Sequence, residues 1–414
     1  MNYQESLDWI HSKLKFGIKP GVERVKWLLN ELGNPQDKVK GVHVVGTNGK
    51  GSTVNYLQNT FTAAGYEVGT FISPFIMDFR ERISINGQMI SKEDLTLMVN
   101  RVKPFVERLP IETPWEAATE FEIITVLMFL YFGEVHPVDI AFIEAGMGGL
   151  HDSTNVFTPL AVICTSIGLD HQAYLGETHA AIAQNKAGVM KAGVPLIYAT
   201  DREDVADVFE KRAQELACQS YRLGRDFRYR DQGAGFDFFY QGECIEAIQL
   251  AMPGQHQRAN ASLALMIMQL LKEQYPALSK EIILSALSRS RWQGRTEFIR
   301  PNLMIDGAHN NESVQVLVDV LQSTYADKEI HILFAAIEGK PVTTMLEMLN
   351  QFASLTVTSF QFPMAIKAEA YPKGYNHLPS WQDWLDRVEE DGDKLYVITG
   401  SLYFISEIRQ ALLG

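Results

Sequence analysis

The sequence predicts an α/β protein of two domains, and three observations carry that prediction. An apolar strand, Val42 with Val44 and Val45, runs into a glycine loop and then a helix marked by Val54, Leu57, Phe61 and Ala64 at helical spacing. Apolar strands and helical stretches then alternate along most of the chain, the pattern of a mostly parallel sheet covered by helices. Near Trp292 to Pro301 the composition breaks, and a shorter series of strands follows.

The loop Gly46-Thr47-Asn48-Gly49-Lys50-Gly51-Ser52-Thr53 organises the chain. Between a strand and a helix, glycines let backbone N–H groups curl round an anion and the helix N-terminus adds its positive end. Lys50 supplies a mobile charge, and Ser52 or Thr53 offers a hydroxyl to phosphate or metal. This predicts a P-loop nucleotide-binding domain. The strict Walker pattern is not met: Val44 stands where its first glycine belongs, and Gly51 follows Lys50 in place of Ser or Thr. A generic GTPase or ATPase assignment is not licensed, and the plain alternative is a glycine-rich turn with a solvated lysine.

Composition narrows the partners. The chain is 46% hydrophobic and 21% charged, ordinary globular usage. A formal charge of −13 argues against a broad nucleic-acid surface and still allows a local basic pocket. Cys164, Cys218 and Cys244 stand far apart with no paired spacing, so reduced thiols in a cytoplasmic protein are expected and no zinc motif is present. Met1 to Lys15 carries acids and lacks the apolar run of a signal peptide, and Ile123 to Phe132 is too short to span a bilayer. A soluble protein is expected, with neither membrane nor nucleic acid as partner.

Ahead of the glycine loop, Val22, Val25, Leu29 and Leu32 form a helical stripe stopped by Gly33 and Pro35, and Phe16-Gly17-Ile18-Lys19-Pro20-Gly21 before it reads as a loop. Val68 to Ile72 reads as a strand ending at Ser73-Pro74-Phe75. Ligands collect at the carboxyl ends of parallel strands, which makes Ser73 a candidate metal or phosphate ligand, with a turn residue as the alternative. Phe79-Arg80-Glu81-Arg82-Ile83 sets charges among aromatics and is expected to be a mobile loop over the site. Phe121 to Phe132 reads as a buried helix. Ile140 to Ile143 delivers Glu144 to a strand tip before Gly146-Met147-Gly148-Gly149, where a nucleotide-binding sheet holds its Mg²⁺. A strand-end acid facing water is the alternative there.

The polar Asp152-Ser153-Thr154-Asn155 follows, and a strand from Ala161 to Thr165 leads to Leu169-Asp170-His171. Thr178 caps a helix running through Lys186 to Met190, on which an exposed lysine is the default expectation. Val194 to Tyr198 is a further strand. Short alternating runs between Tyr221 and Met252, with Phe236, Phe238 and Tyr240, predict an antiparallel region, and Gly254-Gln255-His256-Gln257 precedes Asn260 and an apolar helix through Leu271. Past the break, strands at Leu303 to Asp306, Ile330 to Ala335, Leu355 to Phe360 and Leu395 to Thr399 alternate with helices. They predict a smaller Rossmann-like α/β domain.

Read together and in order, Gly46 to Thr53, Ser73-Pro74-Phe75, Glu144 to Gly149, Asp152 to Asn155, Leu169-Asp170-His171, Lys186-Ala187-Gly188, Gly254 to Asn260, Gly294-Arg295, Asp306 to Asn310 and Thr399 to Tyr403 resemble the folylpolyglutamate synthases. That family lies in the Mur ligase group of ATP-dependent amide-forming ligases. The resemblance spans nearly the whole chain, and it implies an ATP-binding Mur ligase central-type domain over 1–295 and a C-terminal glutamate ligase domain over 299–414. ATP is expected to phosphorylate the γ-carboxyl of a reduced folate glutamate, and the amino group of L-glutamate to attack the acyl phosphate. ATP, two Mg²⁺ ions and, as a further candidate, K⁺ are implied, in a cytoplasmic monomer whose partners are folate, L-glutamate and ATP.

Residue by residue, the resemblance assigns Thr47, Asn48, Gly49, Lys50, Gly51, Ser52, Thr53, Asn260, Arg295 and Asp306 to ATP. It assigns Ser52, Ser73, Glu144 and His171 to metal, and Phe75, Arg82 and Asp152 to folate. Lys186 matches the family lysine that is carbamylated, and Lys50, Glu144, His171, Lys186 and His309 make the implied catalytic set. Closure of the two domains on folate is expected.

Some positions depart from the family pattern. Leu150 replaces a common arginine, Asn185 a common acid and Asn311 a common proline, and Ala335 to Pro341 lacks an Asp-Lys-Asp. Phe75, where many members have histidine, points to an enzyme that only extends folates rather than a bifunctional one that also joins L-glutamate to dihydropteroate. Two other classes stand against this reading. One is a ligase of the same architecture acting on a cell-wall precursor; the other is a non-catalytic nucleotide-binding module, which would not need Glu144, His171 and Lys186 together.

Overall fold

The computed structural model describes residues 1–13, 19, 21–390 and 392–413; of the predicted loop Phe16 to Gly21, all but Lys19 and Gly21 lies outside the described residues. The strand that delivers the glycine loop, β1 (Gly41–Val45), is buried at every position, as expected of a parallel strand covered on both faces. It sits inside an eight-stranded sheet with β2 (Val68–Phe71), β3 (Ile83–Ile85), β4 (Gln88–Met89), β5 (Ile140–Glu144), β6 (Ala161–Cys164), β7 (Leu196–Tyr198) and β8 (Ser220–Arg222). The order is β4-β3-β2-β5-β1-β6-β7-β8. Strands β2, β5, β1, β6, β7 and β8 run parallel, and β3 and β4 add an antiparallel edge. Register sets Val44 beside Glu144 and Val45 beside Cys164. The ends of β5, β1 and β6 therefore emerge together around the glycine loop.

Helix Lys50–Ala63 follows that loop and buries Val54, Leu57 and Phe61. Helix Glu23–Glu31 buries Val25, Leu28 and Leu29 against helix Glu120–Leu130, which is apolar all round and buried along nearly its whole length. The segment expected as a mobile loop is instead a 3₁₀ turn, Phe79–Arg82, leading directly into β3, with Phe79 and Arg82 buried. The reason is a cation–π cluster: the Arg82 guanidinium lies 5.3 Å from the Phe75 ring centre and 5.5 Å from that of Phe79, and 3.6 Å from Glu120. The predicted antiparallel region is a separate sheet of β9 (Phe227–Gln232), β10 (Gly235–Tyr240) and β11 (Glu243–Ile248), in the order β11-β10-β9. Helix Gln255–Leu271 comes next.

The chain divides into two compact units. Met1–Phe75, Phe79–Gln249 and Arg258–Ser290 make the first; Ile76–Asp78, Leu250–Gln257 and Arg291–Gly414 make the second. Arg295, which a boundary at 295 leaves in the first domain, belongs to the second unit. That unit holds β12 (Glu297–Arg300), β13 (Leu303–Ile305), β14 (Glu329–Phe334), β15 (Ser354–Val357), β16 (Asn376–His377) and β17 (Lys394–Thr399), in the order β12-β13-β17-β14-β15-β16. Only β12 runs antiparallel to its neighbour. Val314, Leu317, Leu321, Met345 and Leu349 form one apolar cluster, and Phe404, Ile405, Ile408, Trp381 and Trp384 another, which gives a parallel sheet two covered faces.

Candidate active site

In the first unit the glycine loop is gripped by the segment after β6. Thr47 N–H donates to Ser166 O at 2.9 Å and Asn48 N–H to Ser166 Oγ at 2.9 Å, while Thr165 Oγ1 donates to Asn48 O at 2.6 Å. Gly168 N–H closes the grip on Thr47 Oγ1 at 2.9 Å. Gly49 has φ 88°, and a Cβ added there would run into Asn260 Oδ1. This brings Asn260 against the loop. Gly49→Ala therefore meets both a left-handed backbone and a collision. The expected result is about 1–2 kcal/mol lost from the backbone alone, read as a lower melting temperature, together with weaker ATP binding by calorimetry.

Two ammonium groups meet at one carbonyl. Lys50 Nζ donates to Gly46 O at 3.0 Å and to Thr47 O at 3.3 Å, and Lys186 Nζ donates to the same Gly46 O at 2.9 Å. Glu144 Oε1 lies 3.8 Å from Lys50 Nζ, and the Glu144 side chain is buried at the tip of β5. The exposed position expected for Lys186 is corrected: only 3% of it is accessible. Its helix, His179–Ala187, is capped by Thr178 as predicted and buries Ile182, Ala183 and Ala187, and the same turn of packing carries Lys186 to Gly46. Burial, and then the neighbouring Lys50 charge, bring the Lys186 ammonium down to about 8. An amine near 8 is partly neutral, hence nucleophilic, at physiological pH. Thr53 Oγ1 donates to Gly49 O at 3.0 Å at the start of its own helix, and Ser52 beside it is also buried.

The turn after Glu144 rests on the same helix. Gly149 N–H donates to Asn185 Oδ1 at 3.0 Å and Leu150 N–H to Asn185 O at 2.9 Å. An amide oxygen does there what a carboxylate would do, which accounts for Asn185 in place of an acid. Asp152 is buried and bonded within its own loop: Oδ2 accepts from Met147 N–H at 2.8 Å, and Oδ1 from Thr154 N–H at 3.0 Å and from the Thr154 hydroxyl. Burial pushes its carboxyl up, and these bonds pull it partly back. The Thr154 hydroxyl also meets His43 Nε2 at 2.8 Å. His43 went unmarked in the sequence because it lies in a strand read by its valines.

Ser73, Phe75 and Arg82 come together, with Arg82 Nη1 donating to Ser73 Oγ at 3.4 Å. His171 is exposed, has φ 52°, and opens the short helix Gln172–Leu175. In the second unit, Asp306 accepts from Thr296 N–H at 2.8 Å and Ala308 N–H at 2.9 Å, and burial raises its carboxyl against the opposing pull of Arg295. His309 Nδ1 lies 2.8 Å from Gly307 O; a carbonyl only accepts, so Nδ1 carries the hydrogen. Asn310 caps helix Asn311–Thr324, with Ser313 N–H donating to its Oδ1 at 2.9 Å. Asn311 is thus the first helical residue, the position proline favours, and the departure from proline leaves the helix start intact. His256, near Arg295 and within the motif Gly254 to Asn260, is lowered to about 4 by burial and then by that cation.

Among the described residues no three or more His, Cys, Asp or Glu side chains are grouped to hold a metal by themselves. No described helix is long and apolar enough to cross a membrane.

From the strand before the glycine loop to the helix carrying Asn260, residues 44–268 match the Mur ligase middle domain. The class is therefore that of the Mur ligases, ATP-dependent enzymes. Over 99% of both chains, the protein is 41% identical to a dihydrofolate synthase/folylpolyglutamate synthase of Bacillus subtilis (strain 168). It is 36% identical to a folylpolyglutamate synthase of Lacticaseibacillus casei, over 100% of this chain and 99% of that one. A solved complex of a folylpolyglutamate synthase with AMPPCP and folate superposes with a TM-score of 0.87 at 34% identity, covering 100% of each chain. The chain belongs to the folylpolyglutamate synthase/dihydrofolate synthase family.

Proposed function

We propose that the protein adds L-glutamate to the γ-carboxyl of reduced folate glutamates at the expense of ATP. The observation that carries this is the convergence of Lys50, Lys186 and the strand-tip Glu144 on the glycine loop, in a chain whose relatives match it end to end. A carboxylate is a poor electrophile. Transfer of the γ-phosphoryl group to it turns its oxygen into a phosphate leaving group; the glutamate amine then attacks the acyl carbon, phosphate departs with the bonding pair, and the amine loses a proton.

Lys50 and the loop N–H groups meet the phosphates. Ser52, Ser73 and Glu144 offer oxygen donors, which suits a hard divalent cation, and His171 is assigned to a second. Mg²⁺ bound there supplies charge screening of triphosphate and carboxylate. The neutral Lys186 amine adds to CO₂ with loss of a proton, which replaces a cation facing Lys50 by an anion. Asn260, Arg295 and Asp306 hold the nucleotide, His309 lies near the γ-phosphate, and Phe75 with Arg82 contacts the folate. Two Mg²⁺ ions are assigned, with K⁺ tested by omission of monovalent salts.

The test is phosphate release with MgATP and L-glutamate, comparing dihydropteroate, tetrahydrofolate and 5,10-methylenetetrahydrofolate. Activity with the reduced folates alone is expected. Turnover of dihydropteroate as well would make the enzyme bifunctional and remove the meaning given to Phe75, and no turnover with any of the three would overturn the assignment.

A further inference from the structure

The middle of β1 holds a polar side chain, His43, with no accessible surface. A buried imidazole is costly unless it is hydrogen-bonded. Its Nε2 is 2.8 Å from Thr154 Oγ1, and that hydroxyl also meets Asp152 Oδ1. The carboxylate accepts, so the hydroxyl donates to Asp152 and receives the His43 Nε2–H on a lone pair. His43 Nδ1 is then the bare nitrogen, and it is buried with no partner. The opposite tautomer would bury an N–H with no acceptor there. Asp152 Oδ2 continues the chain to Met147 N–H at 2.8 Å.

Met147 lies in a turn that cannot hold itself. Gly146, Gly148 and Gly149 bring no side chains to pack, and Gly148 has φ 70°. Added Cβ atoms would strike Phe121 at Gly146 and the Lys186 backbone at Gly149, so the turn is fitted tightly on both flanks. On one side a single residue, Ala145, separates it from Glu144 at the end of β5; on the other it is bonded to Asn185, next to Lys186, at 3.0 Å. We propose that His43 and Thr154 are positioning residues: acting through Asp152, they fix the Gly146–Gly149 turn and with it the mutual placement of Glu144 and Lys186. The roles of those two residues rest on the function proposed above. Misplacement by about 1 Å is worth about 10²-fold in rate.

The test compares Thr154→Val, which keeps the shape and removes the hydroxyl, with Thr154→Ser, which keeps the hydroxyl, and with His43→Phe. For Thr154→Val the expected result is a kcat lowered at least ~10-fold with KM for ATP within about twofold of wild type, because the glycine loop is held separately through Thr165 to Gly168. Thr154→Ser restores kcat, and His43→Phe shifts it in the same direction. The double variant Thr154→Val/His43→Phe is no slower than Thr154→Val, because both cut one chain. Hydrogen exchange at the Met147 amide, measured beside thermal unfolding, accelerates in Thr154→Val and not in Thr154→Ser. Unchanged Met147 exchange, an additive double variant, or a kcat that Ser fails to restore would overturn the proposal. The exchange arm reads the tether without substrate, so an inactive wild type would reject the folate assignment and leave the tether to be decided by Met147.

Discussion

Replacing Lys186 by alanine is expected to lower kcat at least ~100-fold while the protein stays folded, with partial recovery on adding formate or acetate. The loss follows from the geometry of two ammonium groups on the Gly46 carbonyl. Only one can stay a cation comfortably, and burial with the Lys50 charge has already brought Lys186 from 10.5 down to about 8. A carbamate forms from the neutral amine, so stimulation of the wild-type enzyme by bicarbonate should grow as pH rises through about 8. The stability effect has a definite sign. Below about 8 both folded and unfolded chains hold the proton, and the cost of burying it is fully present; between there and 10.5 the unfolded chain binds more protons, so stability contributed by this site rises with pH. In CO₂-free buffer, the melting-temperature gain of Lys186→Met over wild type should therefore shrink across that interval. Full activity of Lys186→Ala without added carboxylate would remove the carbamate role.

Glu144→Gln is the second large effect. The substitution keeps the shape at the tip of β5 and deletes a charge 3.8 Å from Lys50 Nζ. Turnover is expected to fall about 10²–10³-fold, the range for removing one preorganised electrostatic contact. Initial rates titrated with Mg²⁺ should need far higher concentrations, while nucleotide still binds through the loop. Near-normal rates at ordinary Mg²⁺ would take Glu144 out of the metal site.

What the sequence showed and what it hid differ in physical range. The placement of the glycine loop and of Glu144 was legible because it is local: consecutive residues make the strand, loop and helix, and a strand tip presents its acid wherever the strand goes. The parallel sheets were legible for the same reason, through runs of apolar residues. Lys186 was half legible. Its helix follows from Thr178 and Ile182, but its burial depends on a turn from far along the chain, where Gly149 admits the helix backbone at Lys186 and Gly148 the Asn185 side chain. Arg82 was read into a mobile loop, and the rings of Phe75 and Phe79 with the Glu120 carboxylate explain why it is held in a buried turn instead. His43 gave no signal, since one histidine among valines does not disturb a buried strand pattern, and its partner Thr154 is 111 residues away.

The division of the chain into units bears on how the protein is made. Ile76–Asp78 and Leu250–Gln257 belong to the second unit although both precede its main body. Met77 O, for example, accepts from Gln410 Nε2 at 3.2 Å, so a bond is closed only after 333 further residues have been joined. During synthesis the first unit can gather its strands while these two short stretches wait for a terminus that does not yet exist. A fragment beginning at Arg291 would be born without them, and a nonsense codon in helix Leu402–Leu413 would strand them. The two units are therefore poor candidates for separate expression or for exchange between relatives at a single junction.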